Sequence, residues 1–350
     1  MTLFPYTTLF RSLEDLRDEL AQVERDLPWS VVHGETPSLA RDDLKQWVQQ
    51  AIVPTFVAKC ASQDAWLRGT SPDDWGALRQ FSQRHLQPLL LEAPVTHRCF
   101  HKPLGYPGDF EVMRYIYERW FDGPTLFARA MNAAAVALPG AAAVRSRKDV
   151  LLGELLHAEA TWHHGKGPLR VVSVAAGPAQ EVYEFLGAVP KEGPRVEIVL
   201  FDQDKQALAL GHARIQRRLE QRGLASRIKV TYLHDSIKRL LHDASLFAGF
   251  GPFHLVFCAG LFDYLKTRTA TVLTRNFWDN LAPGGRAILG NMVPSSPSRW
   301  IMEHHMDWFL VYRTPLEMQE MATAAAPHAH LRVMEDVTGV NPLLVVEKSA

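Results

Sequence analysis

Cysteine is nearly absent: Cys60, Cys99 and Cys258 are the only three in 350 residues. An odd, widely spaced set does not frame a disulfide scaffold, and it suits reduced thiols in a cytoplasm. Net charge is absent too, with 38 Lys plus Arg against 38 Asp plus Glu. No global field gathers a phosphate backbone, so nucleic acid is not an expected partner. Long apolar runs are missing. The longest small-residue tract, Ala130 to Val144, falls short of a bilayer and is interrupted by Pro139-Gly140, so no membrane span is expected. Metal-ligand spacing is missing as well. His97-x-Cys99-x-His101 alternates, without the ligand gaps of a structural zinc site, and the side chains of His163-His164 and of His304-His305 diverge on a helix or a strand alike. No metal is expected, and both histidine pairs are expected at the surface. No basic segment with an apolar core and cleavage site is seen, so no leader is read.

What is present supports a full core. A composition of 47% hydrophobic and 22% charged residues is a globular balance, and the length allows two domains. Residues 1–12 are set aside first, because Thr2-Leu-Phe-Pro-Tyr-Thr-Thr-Leu-Phe-Arg-Ser12 is similar to the translation of a sequencing-adapter oligonucleotide. The native start is therefore open, and an upstream domain could have been lost. From Leu13 to about Lys148 the pattern is helical. Leu44, Trp47, Val48, Ala51 and Ile52 share one face over 42–57, and Ser71-Pro-Asp-Asp-Trp75 reads as a capped helix start. In Gly105-Tyr-Pro-Gly-Asp109 the Pro-Gly pair suits a tight turn, and Asp109 can cap the amphipathic helix that follows. Ala143-Val-Arg-Ser-Arg-Lys-Asp149 leads into a helix ending near His163. There Arg145 and Arg147 are either a solvated basic turn or partners for a carboxylate on a cofactor or acceptor. Gly165-Lys-Gly-Pro168 marks a boundary, giving a helical domain over 13–164 and a second domain over 165–350.

The second domain is organised around Val171-Val-Ser-Val-Ala-Ala-Gly-Pro-Ala-Gln-Glu181 and Ile198-Val-Leu-Phe-Asp202. The first run is apolar on both faces, as a strand buried on both sides requires, and the small residues from Ala175 to Ala179 then turn into a helix. The second run ends in Asp202, whose carboxylate would lie beside that turn and could accept hydrogen bonds from both hydroxyls of a ribose. A dinucleotide fold wants three glycines at the turn, and here only Gly177 stands, between Ala175 and Ala179. That argues against NAD. Further strands are expected at 228–233, 253–258, 286–290, 330–335 and 342–347, after 170–175 and 196–201. A helix from Lys205 to Gln221 is closed by Gly223. Alternating strands and helices imply a doubly wound parallel sheet with ligands at the carboxyl ends of its strands.

With these residues quoted, the chain resembles the class I S-adenosylmethionine (SAM) methyltransferases. The resemblance implies an α/β fold, a seven-stranded Rossmann-like SAM-binding sheet with an N-terminal helical lid. It also implies SAM as cofactor, held by Ala175, Gly177, Pro178, Asp202 and Gln203. Asp235 and Ser236 would lie near the adenine, and Cys258, Ala259 and Gly260 near the sulfonium and methionine tail. Ser173 stands where an acid near the methionine amino group is common, and His254 where many members carry Asp. Glu181 either supplies the missing carboxylate or complements the dipole of its helix.

Four segments narrow the resemblance: His101-Lys-Pro-Leu-Gly-Tyr-Pro-Gly-Asp109, Ala143-Val-Arg-Ser-Arg147, Cys258-Ala-Gly-Leu-Phe-Asp-Tyr264 and Asp307-Trp-Phe-Leu-Val-Tyr-Arg-Thr314. With Gly290-Asn291 they are similar to the bacterial 3-hydroxypalmitate methyl ester synthases, whose members make a quorum signal by methylating a fatty-acid carboxylate. Some relatives carry a cyclic-nucleotide-binding module upstream. That implies a small-molecule or acyl substrate in a pocket of Tyr106, Asp109, Asp263, Tyr264, Asn291, Tyr312 and Arg313. For Asp263 and Tyr264 the alternative is a helix cap and a core aromatic. A fatty carboxylate is ionised at neutral pH and needs no general base. The same segments also resemble a branch that cyclises SAM to azetidine-2-carboxylate and methylthioadenosine, in which Tyr106, Asp109 or Asp263 would orient or accept a proton. A SAM or lipid sensor without turnover is the third expectation. An amino-methylating nucleic-acid enzyme is disfavoured, because Cys258-Ala-Gly-Leu261 replaces the Asn/Asp-Pro-Pro-aromatic motif typical of such enzymes.

Overall fold

The computed structural model describes residues 4–34, 39–163 and 167–350. Residues 1–3 of the adapter-like segment, His164, and Gly165-Lys166 of the expected boundary lie outside the described residues. Two compact units form, one from Met1–Ala142 with Ser296–Phe309, the other from Ala143–Ser295 with Leu310–Ala350. The division differs from the boundary expected at 164/165 in two places. It falls within the helix Pro139–Ala160, and a later segment, Ser296–Phe309, belongs with the N-terminal helices.

The first unit is all helical. The face expected over 42–57 is broken into Leu39–Trp47, a π turn at Val48–Ile52 and Val53–Arg68. Pro54 explains the break, since it lacks an N–H and its ring clashes with the preceding turn. Ser71 caps a short 3₁₀ turn, Pro72–Asp74, that runs into Trp75–His85. Leu126–Ala135 is buried along its whole length. No single helix among the described residues is long and apolar enough to cross a membrane; the bent pair Leu126–Ala135 and Pro139–Ala160 passes by length and composition only.

His304 and His305 correct the sequence reading, because both are buried. They end the helix Arg299–His305, which is fixed into this unit by long-range polar bonds. The Trp300 N–H donates to Asp64 (2.9 Å), the Ser82 hydroxyl meets His305 Nε2 (2.8 Å), and the Gln83 and Gln87 amides donate to the His304 and His305 carbonyls (both 2.8 Å). Asp307, at φ 49°, pairs with Arg79 and Lys102, each at 2.6 Å.

The second unit holds seven strands: β1 Leu169–Val174, β2 Val196–Asp202, β3 Ile228–His234, β4 Phe253–Cys258, β5 Leu281–Gly290, β6 His330–Met334 and β7 Leu343–Glu347. Their order is β3-β2-β1-β4-β5-β7-β6, with β7 antiparallel to β5 and β6 and the other pairs parallel. The period of two explains both layers of core. Val171, Ile198, Leu255 and Phe257 face Val182, Phe185, Ile215 and Leu219. Val172, Val199, Phe201 and Val256 face Leu273, Phe277 and Met321. Each fully buried Phe or Leu contributes roughly 1.5–3 kcal/mol. The helix Lys205–Arg222 ends at Gly223 in the left-handed region (φ 64°), as the sequence indicates.

One strand departs clearly from expectation. β5 begins at Leu281, not at 286, although Leu281-Ala-Pro-Gly-Gly285 is turn chemistry. The register moves from Phe253 opposite Leu281 to Leu255 opposite Arg286, and the bulged residues are recruited by the C-terminus. The Gly284 N–H reaches the Lys348 and Ser349 carbonyls at 3.1 Å, and the Lys348 N–H donates to Gly285 at 2.9 Å.

Candidate functional site

Topology dictates where a ligand can meet this sheet. β1 and β4 are neighbours, and the chain leaves them toward opposite sides, so a crevice opens beyond their carboxyl ends. The turn after β1 is built from unusual backbone. Ala175 (φ 53°), Gly177 (φ 52°) and Ala179 (φ 49°) are all left-handed, a conformation that costs an alanine about 1 kcal/mol. Such strain persists only where the surroundings fix it. They do: the Ala176 N–H donates to the Phe201 carbonyl (3.1 Å), the Ala179 N–H to Ala176 (2.9 Å), and the Gly177 N–H to Asp202 Oδ2 (2.8 Å). At Gly177 an added Cβ would meet nothing within 4 Å, so glycine answers to φ there and not to crowding.

Asp202, the last residue of β2, is buried. Its second oxygen accepts the Asp204 N–H at 2.9 Å. Burial pushes its carboxyl above the usual range, while the N–H groups of Gly177, Asp204 and Gln203 pull it back. Two carboxylate oxygens have about four lone-pair sites, so acceptor capacity beyond these backbone bonds is left for a ligand hydroxyl. Pro178 is buried, and Gln203 is exposed, its carbonyl 3.1 Å from His234 Nε2. Asp235 follows β3, its N–H donating to the Asp202 carbonyl (3.3 Å), its carboxylate accepting from the Ser236 N–H (2.8 Å) and from Arg239 (2.6 Å).

Beyond β4 the chain passes Cys258, Ala259 and Gly260 into a 3₁₀ turn, Phe262–Tyr264. Cys258 is fully buried and its thiol is pushed up to about 12, so it is a packing residue next to the site and not a nucleophile. Arg147, Asp263 and Asp202 all act electrostatically on that thiol, which puts the three charges around one strand end. Arg147 lies within the helix Pro139–Ala160 and not in a basic turn. Its side chain is 7% exposed and it packs on the Gly260 Cα, where an added Cβ would stand 2.9 Å from a guanidinium nitrogen. Nη1 is 3.5 Å from Asp263 Oδ2, yet neither Nη1 nor Nε has a hydrogen-bond partner among the described residues.

Asp263, Asn291, Tyr312 and Arg313 belong to the same unit, and three of them form one network. Asp263 is buried, accepts the Met292 N–H at 2.7 Å, and carries the carbonyl bonded by the Val311 N–H at 2.7 Å. Desolvation pushes its carboxyl up to about 6 against the pull of Arg147 and Met292. Arg313 donates to Asn291 Oδ1 (2.6 Å) and to the Phe262 and Leu265 carbonyls, and the Asn291 amide donates to Val311 (2.9 Å). Tyr264 is 39% exposed, so it is not a core aromatic. Tyr106 and Asp109 are in the helical unit. Asp109 is buried and saturated: it caps Phe110–Glu118 through the Glu111 and Val112 N–H groups (3.0 Å each) and takes both oxygens to Arg98 Nε. Capping is the simpler of the two roles the sequence offers it.

Ser173 and Glu181, which sequence reasoning placed near an amino group, meet directly at 3.2 Å. His254, at the other departure from the family pattern, accepts the Arg170 N–H at 3.0 Å and packs against Trp162 with the two rings tilted 53° apart. Among the described residues no group of three or more His, Cys, Asp or Glu could hold a metal.

No protein-family model matches this sequence, and no curated protein matches it. Among solved structures, a possible exported protein from Bordetella parapertussis is similar, at 20% identity over 90% of this chain and 100% of its own, with a TM-score of 0.55. Magnesium protoporphyrin IX methyltransferase from Synechocystis PCC 6803 with bound S-adenosylhomocysteine is similar at 13% identity over 68% and 98%, with a TM-score of 0.43. The strand order and the antiparallel β7 form the seven-stranded, Rossmann-like α/β sheet expected from the sequence.

Proposed function

We propose that the sheet-bearing unit binds SAM and that the protein is a SAM-dependent methyltransferase acting on a small-molecule or fatty-acid carboxylate. The observation that carries this reading is Asp202, a buried acid at the mouth of a strained turn, braced by the Gly177 and Asp204 N–H groups and with acceptor capacity left for a ligand. Asp202 holds the ribose, Asp235 and Ser236 flank the adenine, and Gly260 leaves room for the Arg147 guanidinium at the end of β4, where the methionine tail would lie. The donors of Arg147 that lack a hydrogen-bond partner fit a carboxylate, which a buried guanidinium binds in fork geometry. SAM supplies an already electrophilic methyl group, so the protein's work is to position the acceptor and exclude water. A carboxylate acceptor arrives ionised, and no side chain need take its proton.

The cyclase reading is favoured by Asp263: burial pushes its carboxyl up to about 6, so at neutral pH it is a buried carboxylate able to take up a proton, a task carboxylate methylation does not set. The two readings part on products. Incubated with SAM alone, a cyclase yields methylthioadenosine; a methyl ester synthase yields S-adenosylhomocysteine only when a 3-hydroxy fatty acid is added. Saturable binding with neither product marks a sensor. Asp202→Ala is expected to weaken SAM binding by about 100-fold, since it removes two hydrogen bonds to a charged acceptor. Calorimetry giving wild-type affinity for that variant sinks the whole assignment.

A further inference from the structure

Asn341 is fully buried, yet neither Oδ1 nor Nδ2 of its side chain has a hydrogen-bond partner among the described residues. Both halves of the carboxamide are stripped of water with nothing in return, a cost that a leucine of similar size would not incur. The loop between β6 and β7 gives the amide no structural task. There Asp336, also buried, closes the turn, accepting the Thr338 N–H (3.1 Å), the Asn341 N–H (3.0 Å) and the Thr338 hydroxyl. The Val337 N–H donates to the Ser146 hydroxyl (3.1 Å) and the Val293 N–H to the Val340 carbonyl (3.0 Å), so the backbone is pinned without help from the Asn341 side chain.

Position gives the amide a use. Its Oδ1 stands 3.0 Å from the point that a Cβ on Gly290 would occupy, and the Ala259 carbonyl crowds the same point. Only glycine at the end of β5 leaves room there. The amide therefore lies over the carboxyl ends of β4 and β5, in the same unit as Asp202 and on the far side of β4 from it. Three strand spacings separate β2 from β5, roughly 14 Å. With the ribose on Asp202 and the sulfonium at Cys258-Ala-Gly260, the cofactor ends at β4, and the next strand end faces whatever receives the methyl group.

We propose that Asn341 is a specificity-determining residue of the acceptor site: Nδ2 donates to, and Oδ1 accepts from, a hydroxyl group that the acceptor carries apart from the carboxylate that is methylated. This rests on the methyltransferase reading above and deepens it. An ionised carboxylate only accepts and an ammonium only donates, so either would leave one half of the amide orphaned; a hydroxyl does both. Selection follows from the same cost. An acceptor without the hydroxyl leaves the buried amide unmet, and a site built to bond a hydroxyl rejects the analogue that lacks it.

Initial rates with the full chain, saturating SAM and either a saturated medium-chain fatty acid or its 2-, 3- or 4-hydroxy derivative test this, with S-adenosylhomocysteine as the measured product. Wild type is expected to favour one hydroxy acid over the unsubstituted acid by about tenfold or more in kcat/KM. Asn341→Leu should lose that preference, falling on the hydroxy acid and holding or rising on the unsubstituted one. Its affinity for S-adenosylhomocysteine in calorimetry should stay within about twofold of wild type. Its Tm should match or exceed that of wild type, because an unmet amide is exchanged for an apolar group of similar size. Asn341→Ala removes the same two polar atoms with less bulk and should give the same ratio of rates, so it decides the matter if the leucine does not fit. A preference unchanged by these substitutions, as a water held on the amide predicts, overturns this inference alone, and so does equal use of all four acids by wild type or loss of folding in both variants. Wild type that forms S-adenosylhomocysteine with none of the acids overturns it together with the reading of carboxylate methylation.

Discussion

Asp263→Ala is expected to destabilise the sheet-bearing unit by about 3–5 kcal/mol, the penalty for leaving a buried charge without its partner. Asp263 joins three chain segments that are far apart in sequence. Its carboxylate holds the Met292 N–H beyond β5, its carbonyl holds the Val311 N–H, and Arg147 lies against it from the helix Pro139–Ala160. Alanine orphans the Met292 N–H and leaves the Arg147 guanidinium buried without its counter-charge, while Arg313 remains pinned to Asn291 and the Phe262 carbonyl. Asp263→Asn keeps an acceptor of the same shape and should lose less than half as much. The pH dependence gives a second handle. A carboxyl raised from an unfolded value near 3.8 to about 6 gives stability that is fully present below 3.8 and is lost as pH rises through 6. The asparagine variant should lack that slope. Hydrogen exchange at the amides of β4 and β5 isolates this unit, and protection in Asp263→Ala within about 1 kcal/mol of wild type shows the cluster to be dispensable.

Sequence logic works where the cause is local and fails where it is remote. β1, β2 and β4 are apolar on both faces because both faces are covered, so their runs are visible without a structure. Gly223 and Asp109 announce a helix end and a helix start through their own backbone chemistry. By contrast, Leu281-Ala-Pro-Gly-Gly285 carries turn residues and becomes strand because the chain's last residues, more than sixty positions on, supply its partners. Ala175 and Ala179 hide their left-handed backbone, since a turn of this kind is normally read from glycine. Arg147 looks like one basic residue among several until Gly260 and Asp263 close around it. Ser296–Phe309 gives no composition signal that it returns to the helical unit, because its anchors Asp64, Ser82 and Gln83 lie over 200 positions earlier.

That return also sets an acid limit on the helical unit. His304 and His305 are buried, and the Nδ1 of each has no hydrogen-bond partner among the described residues, so a proton added there gains no acceptor. Burial and the Arg79 charge lower His304 to about 4; burial, His304 and Arg79 lower His305 to about 3. Between the unfolded value near 6.5 and these folded values the unfolded chain binds more protons, so stability is lost as pH falls. At pH 5 each histidine is expected to remove about 2 kcal/mol, together about 4 kcal/mol. Glu181 and Asp263 act in the opposite direction in the other unit, because their raised values make the native state the better proton binder over the same range. Mild acid should therefore loosen the helices Val53–Arg68 and Trp75–His85 while the sheet amides keep or gain protection. His304→Gln with His305→Gln should flatten the helical unit's acid response between pH 7 and 5. An unchanged slope in that double variant places the acid sensitivity elsewhere.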